Sequence, residues 1–99
     1  MGSPVLAFPL GFDERVAFET EQRGVCDVVL VGLPNGTRVQ VGFYDPVRLA
    51  QNLASRQEAG EAWIALPGMI VIPSVTLKFM QRAVTELFQQ GFFDVLRPI

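Results

Sequence analysis

The stretch Tyr44-Asp45-Pro46-Val47-Arg48 sets a phenol, a carboxylate and a guanidinium within five residues. Where a strand runs into a helix, the free backbone N–H groups of the first turn can bind a small anion. The same residues also have a plainer reading. Asp45 is a favoured N-cap, and Pro46 suits the first helical position, where its missing N–H costs nothing. Arg48 then lies on a solvated helix face, and the capping carboxylate competes with any anion for the amides. Capping is the stronger reading. Arg38, Tyr44 and Asp45 are the candidate polar site if this chain carries chemistry at all.

The other polar clusters point less clearly to a reaction. Asp13, Glu14, Glu19 and Glu21 form a loose acidic stretch interleaved with Arg15 and Arg23. General acid–base work needs two carboxylates converging in a cleft, and spacing does not show convergence. No D-x-D-x-D-G calcium loop and no glycine-rich phosphate loop is present. Gly24, Gly36, Gly60, Gly68 and Gly91 instead fall at the ends of expected elements. The chain has no histidine and one cysteine, Cys26. That excludes histidine-based zinc enzymes, histidine-ligated haem, and Ser-His-Asp or Cys-His triads supplied by this chain alone. Cys26 sits in an apolar run and reads as a small buried hydrophobe. No catalytic residue, cofactor or metal site is assigned. An enzyme would have to work through Asp, Glu, Tyr, Arg or Lys78, with Tyr44, Asp45 and Arg38 tested first.

Composition sets the frame for these residues. The 99 residues are 49 % hydrophobic and 18 % charged, with a net charge of −2. Soluble domains carry about 25 % charged residues. A single domain over 1–99 fits the length, and it should hide roughly 65 % of its unfolded surface. Mild acidity disfavours nucleic acid, whose binders displace counterions with basic charge. The longest charge-free run, 62–77, is broken by Pro67, Gly68 and Pro73, so no membrane span is expected. No basic residue precedes Val5–Leu10, which argues against a secretory leader. A cytoplasmic protein is the expectation. The excess of arginine over lysine, seven to one, suggests a GC-rich bacterial genome.

The elements that must position these residues follow from pattern. Residues 4–12 suit a short edge strand or an extended arm. Residues 13–23 read two ways: Asp13 can cap a short helix ending before Gly24, or Val16, Phe18 and Thr20 can alternate on a strand. The alternation favours a strand from Arg15 to Thr20. Val25 to Tyr44 reads as a hairpin around a two-residue Asn35-Gly36 turn. That register places Leu33 opposite Arg38, Leu30 opposite Val41 and Val28 opposite Phe43. Cys26, Val28 and Leu30 then join Val39, Val41 and Phe43 on the core face. A helix from Asp45-Pro46 to about Ala59 carries the stripe Leu49, Ala50, Leu53 and Ala54. Residues 61–73 suggest two short strands around a type II turn at Pro67-Gly68. The run Ile70-Val71-Ile72 reads as a strand buried on both faces. A second helix starts near Ser74 or Thr76 and ends before Gly91, with Leu77, Met80, Ala83, Val84, Leu87 and Phe88 at helical spacing. The apolar tail 92–96 should dock as a short strand or clip. The sum is an α+β fold with a mainly antiparallel sheet and two helices on one face.

The apolar surplus also shapes the functional expectation. Phe79, Phe88, Phe92 and Phe93, with the helix stripe, exceed what one helix face needs, and Trp63 and Met69 belong to types enriched at interfaces; these six are the candidate interface. A core position for Trp63 is the equal alternative. The leading expectation is a small non-catalytic binding or assembly module, homodimeric or docked on another protein. The second is a pocket for an apolar small molecule, with Tyr44 or Arg38 as the polar contact. An enzyme without histidine ranks third.

Overall fold

The computed structural model describes residues 2–99. Four strands form one mixed sheet in sequence order: β1 (Val5–Ala7), β2 (Val25–Gly32), β3 (Arg38–Tyr44) and β4 (Met69–Val71). The first three are antiparallel neighbours, and β4 runs parallel to β3. Three helices complete the α+β fold: α1 (Glu14–Arg23), α2 (Pro46–Glu58) and α3 (Leu77–Gln89). A short 3₁₀ helix, Phe92–Val95, follows α3. The tail then runs extended until the Ile99 N–H donates to the Arg38 carbonyl at 2.9 Å. Residues 92–96, expected as a short strand or clip, dock instead mainly as this 3₁₀ helix with Phe93 buried, because Gly91 lets the chain turn back onto α3 at φ 79°.

Residues 14–23 form a helix rather than the expected strand from Arg15 to Thr20, and the local chemistry explains why. The Asp13 carboxylate accepts the Val16 N–H at 2.8 Å. Gly24 closes the helix with φ of 71° and donates its N–H to the Thr20 carbonyl. Glu14 in the first turn and Arg23 in the last suit the helix dipole. The alternation of Val16, Phe18 and Thr20 misleads because Phe18 points to solvent, 65 % exposed, while Thr20 is buried.

The hairpin forms, but its register is one residue off the expected one. Leu33 faces Thr37, not Arg38, with its N–H donating to the Thr37 carbonyl at 2.8 Å. Gly32 faces Arg38, Val31 faces Val39, Leu30 faces Gln40 and Val29 faces Val41. The cause is Pro34. A two-residue loop at Asn35-Gly36 would make Pro34 a ladder residue, and proline has no N–H to donate. Pro34 instead opens a turn in which the Gly36 N–H donates to the Leu33 carbonyl at 3.0 Å. Gly36 takes the left-handed position at φ 90°, and among the described residues only glycines have positive φ. This is a three-residue hairpin loop built on a type I turn.

The slip exchanges the faces of β2. Val29 and Val31, not Val28 and Leu30, join Val39, Val41 and Phe43 in the buried cluster. The register shifts again between Cys26 and Val29, so that Asp27 and Val28 together stand opposite Gly42. This bulge returns Cys26 to the core face, beside Phe43. Gly42 leaves the space for it: a Cβ there would lie 3.4 Å from the Asp27 Cα and O.

The core face is covered by α3 and the 3₁₀ helix. Met80, Val84 and Phe93 are buried against the valines of β2 and β3, with Ile70, Ile72 and Val75. Leu77, the first residue of the expected stripe, stays outside this contact and is exposed. Each fully buried side chain of this size contributes roughly 1.5–3 kcal/mol.

The connection from β3 to β4 is a crossover, as parallel neighbours require. Asp45 caps α2 by accepting the Arg48 N–H at 2.7 Å, and Pro46 occupies its first turn. Yet α2 buries no residue; of its expected stripe, Leu49 and Leu53 are only half-buried, and Ala50 and Ala54 are exposed. Residues 61–66, expected as a strand, form none. A strand needs a ladder partner, and β2 and β4 already flank β3. The Glu61 N–H turns back to the Arg56 carbonyl at 2.8 Å, and the two side chains pair at 2.9 Å. The turn at Pro67-Gly68 forms as expected, the Met69 N–H donating to the Leu66 carbonyl at 3.2 Å.

Candidate functional site

Strand alternation gives the sheet a second face, opposite α3. Val5 and Ala7 of β1 share it with Gly32 and Leu30, their partners in β2. Gln40, Gly42 and Tyr44 of β3 share it with Met69 and Val71 of β4. The shifted register adds Val28, which is 47 % exposed, and Val71 is 46 % exposed. Ile70 and Ile72 are buried, so the run Ile70-Val71-Ile72 is covered on one face rather than on both as expected. Tyr44 is buried at the end of β3, Val28 is half exposed beside α1, and Val5 at the β1 edge is exposed. Its charges, Asp27 and Arg38, lie toward its ends.

The candidate interface residues separate clearly. Trp63 is 62 % exposed on the segment after α2. Met69 is half-buried on the second face. Phe79, Phe88 and Phe92 are half-buried and lean on the core, and Phe93 lies inside it, edge-on to Phe92 at 5.3 Å between ring centres.

The candidate polar residues do not converge. Arg38 and Tyr44 are the two ends of β3, about 20 Å apart at the usual rise per residue. Asp45 is committed to the cap of α2, and its N–H donates to the Gly24 carbonyl at 2.9 Å. Arg38 lines neither of the deeper cavities. One of these, about 420 Å³, lies between the Pro67 turn and the tail and includes Tyr44. The other, about 550 Å³, lies between α1, the 8–12 loop and the start of β2.

No family model matches the chain, and neither the curated proteins nor the solved structures give a match.

The larger cavity contains groups that the sequence reading placed elsewhere. Phe8 and Phe12 stack at 4.4 Å between ring centres, and Val16 and Val25 continue the apolar wall. Arg23, read as part of an acidic stretch, and Arg48, read as a solvated helix residue, both line it. The Arg48 Nε is buried and has no hydrogen-bond partner among the described residues. Cys26 also lines the cavity; burial raises its thiol pKa, the Asp27 carboxylate raises it further, and Arg23 pulls it down. Four separate segments build this wall, so no local sequence pattern announces it. No helix of the described residues is long and apolar enough to cross a membrane.

Proposed function

We propose that the protein is an assembly module that pairs with a second copy of itself through the second face of the sheet and the adjoining α2–β4 connection. The half-exposed valines of the second face carry this reading. Runs such as Val28-Val29-Leu30-Val31 and Ile70-Val71-Ile72 have the continuous apolar sequence of strands covered on both sides, and the chain covers the second side only in part, with the Pro67 turn and the tail beside Tyr44 and Met69 and with Val28 and Val71 still about half exposed.

The surface area says how large a partner is needed. The chain exposes 6616 Å², against about 5,600 Å² for a monomer of this mass. Its radius of gyration is 14.0 Å, against about 12.6 Å for a compact domain of this length. A chain this extended has room for the ~800 Å² per partner that a stable interface buries. A twofold pair places the same face on both sides of the contact and closes on itself, so no further copies add. Val5, Val28, Met69 and Val71 form its centre, with Trp63 and Leu66 at the edge. Charge is sparse there, as at interface centres generally.

Sedimentation equilibrium tests this reading directly. At about 100 µM, well above a micromolar dissociation constant, the expected species has twice the 10.9 kDa chain mass. Val71→Lys should return it to the single-chain mass with unchanged far-ultraviolet circular dichroism. A wild-type chain that sediments as a monomer overturns the proposal.

A further inference from the structure

We infer that the cavity between α1, the 8–12 loop and β2 binds a small amphiphilic carboxylate, its apolar body against Phe8 and Phe12 and its headgroup on the guanidinium of Arg48. This goes beyond the pairing of two chains; the cavity shares Val28 with that surface, and its argument rests on the other walls. The cavity's ~550 Å³ lies within the range of small-molecule sites, roughly 300–1,000 Å³. Its aromatic and valine walls ask for an apolar ligand body. Its polar groups then choose the head.

The argument for an anion starts at Arg48. Its Nε is buried with no acceptor, and folded proteins leave few such groups unpaired. No carboxylate lies within ion-pair distance of Arg48 or Arg23 among the described residues. Asp45, the acid closest in sequence to Arg48, already accepts the Arg48 backbone N–H. A guanidinium offers a carboxylate two parallel N–H donors, and Arg48 is on the cavity wall. Charge balance selects a single negative charge. Arg23 and Arg48 face one carboxylate, Asp27, on the cavity lining, so the lining is one positive charge in excess. A carboxylate neutralises it, whereas a dianionic phosphate would leave a net negative charge among phenylalanines. The raised pKa of Cys26 keeps the thiol protonated near neutrality, so it adds no competing anion.

Decanoate, decan-1-ol and decyl phosphate test the body and the head separately. Calorimetry should show one decanoate per chain and binding of decan-1-ol weaker by about tenfold or more, roughly 1.4 kcal/mol. Decanoate should slow the reaction of Cys26 with an aromatic disulfide reagent, which locates the ligand in this cavity and not on the sheet face. Arg48→Met should abolish the preference for decanoate over decan-1-ol without lowering Tm, because it removes a buried unpaired N–H. Equal binding of acid and alcohol overturns the proposal, as does unchanged Cys26 reactivity. Tighter binding of decyl phosphate overturns the choice of head. If Arg48→Met does not fold, the wild-type comparison of the three probes and the Cys26 rates still decide the matter.

Discussion

Helices α2 and α3 have 13 residues each, both start from a side-chain cap, and they meet opposite fates. Helix α3 buries Met80 and Val84 completely against the sheet, whereas α2 buries no residue completely. Capping and propensity thus suffice to define where a helix begins and ends, but not whether it joins the core. Isolated helices of this length are marginal in water. The fixed ends of α2 therefore matter more to it than those of α3 do. The same contrast divides the sheet into a face packed under α3 and a face on which Val28 and Val71 stay about half exposed.

The sharpest test of that contrast removes matched side chains from the two helices. Met80→Ala should cost about 2–5 kcal/mol, since it opens a cavity in a fully packed site. Leu53→Ala in α2 should cost less than about 1 kcal/mol in the single chain, as a partly exposed position. Urea denaturation followed by circular dichroism measures both. Equal losses would mean that α2 is part of the core after all.

The next largest effect is expected where the crossover rejoins the sheet. Gly68 has φ of 74°, and a Cβ there would meet the Gln40 carbonyl oxygen at 2.7 Å. Backbone cannot step aside as a flexible side chain can. Gly68→Ala should cost about 2–3 kcal/mol from the left-handed conformation and the displaced strand together, read from the same denaturation curves. Gly60 has φ of 91° but open space around it. Gly60→Ala carries only the conformational part, about 1–2 kcal/mol.

Smaller again is the cap. Asp45→Ala should cost about 1 kcal/mol, with the loss of helical signal confined to α2, and Asp45→Asn should nearly restore it. Hydrogen exchange at amides of 46–58 gives the local reading. Uniform loss across α3 as well would contradict the separation of the two helices.

These elements also show what was legible in the sequence. The α2 boundaries, the α3 stripe and the Pro67-Gly68 turn depend on neighbours within a few residues, and pattern finds them. The hairpin's existence was legible for the same reason, but its register rested on the missing N–H of Pro34. Residues 61–66 have strand composition, yet whether they pair depends on which strand flanks β3, and that is not local information. The site was less legible still. Trp63 and Met69 could be singled out by type, but Val28 reached the open face only because Pro34 slips the hairpin register. Arg23 and Arg48 lie 25 positions apart in the sequence and line one cavity.

The smallest expected effect concerns Cys26, which lies on the boundary between the two regions, packed against the core and lining the open cavity. Burial, followed by the Asp27 carboxylate, raises its pKa above the ordinary thiol value, with Arg23 opposing. The folded chain therefore holds the thiol proton more tightly than the unfolded chain does. By linkage, the associated stability is fully present below the unfolded-state thiol pKa and fades as pH rises from there through the folded value. Between neutrality and the ordinary thiol value, stability should be flat with respect to this group. Above it, wild type should lose a small increment that Cys26→Ala does not lose, seen as a difference in the slope of Tm against pH. A rise in wild-type Tm over that range relative to Cys26→Ala would mean that Arg23, not burial, governs the thiol, and that the cavity is wetter than its walls imply.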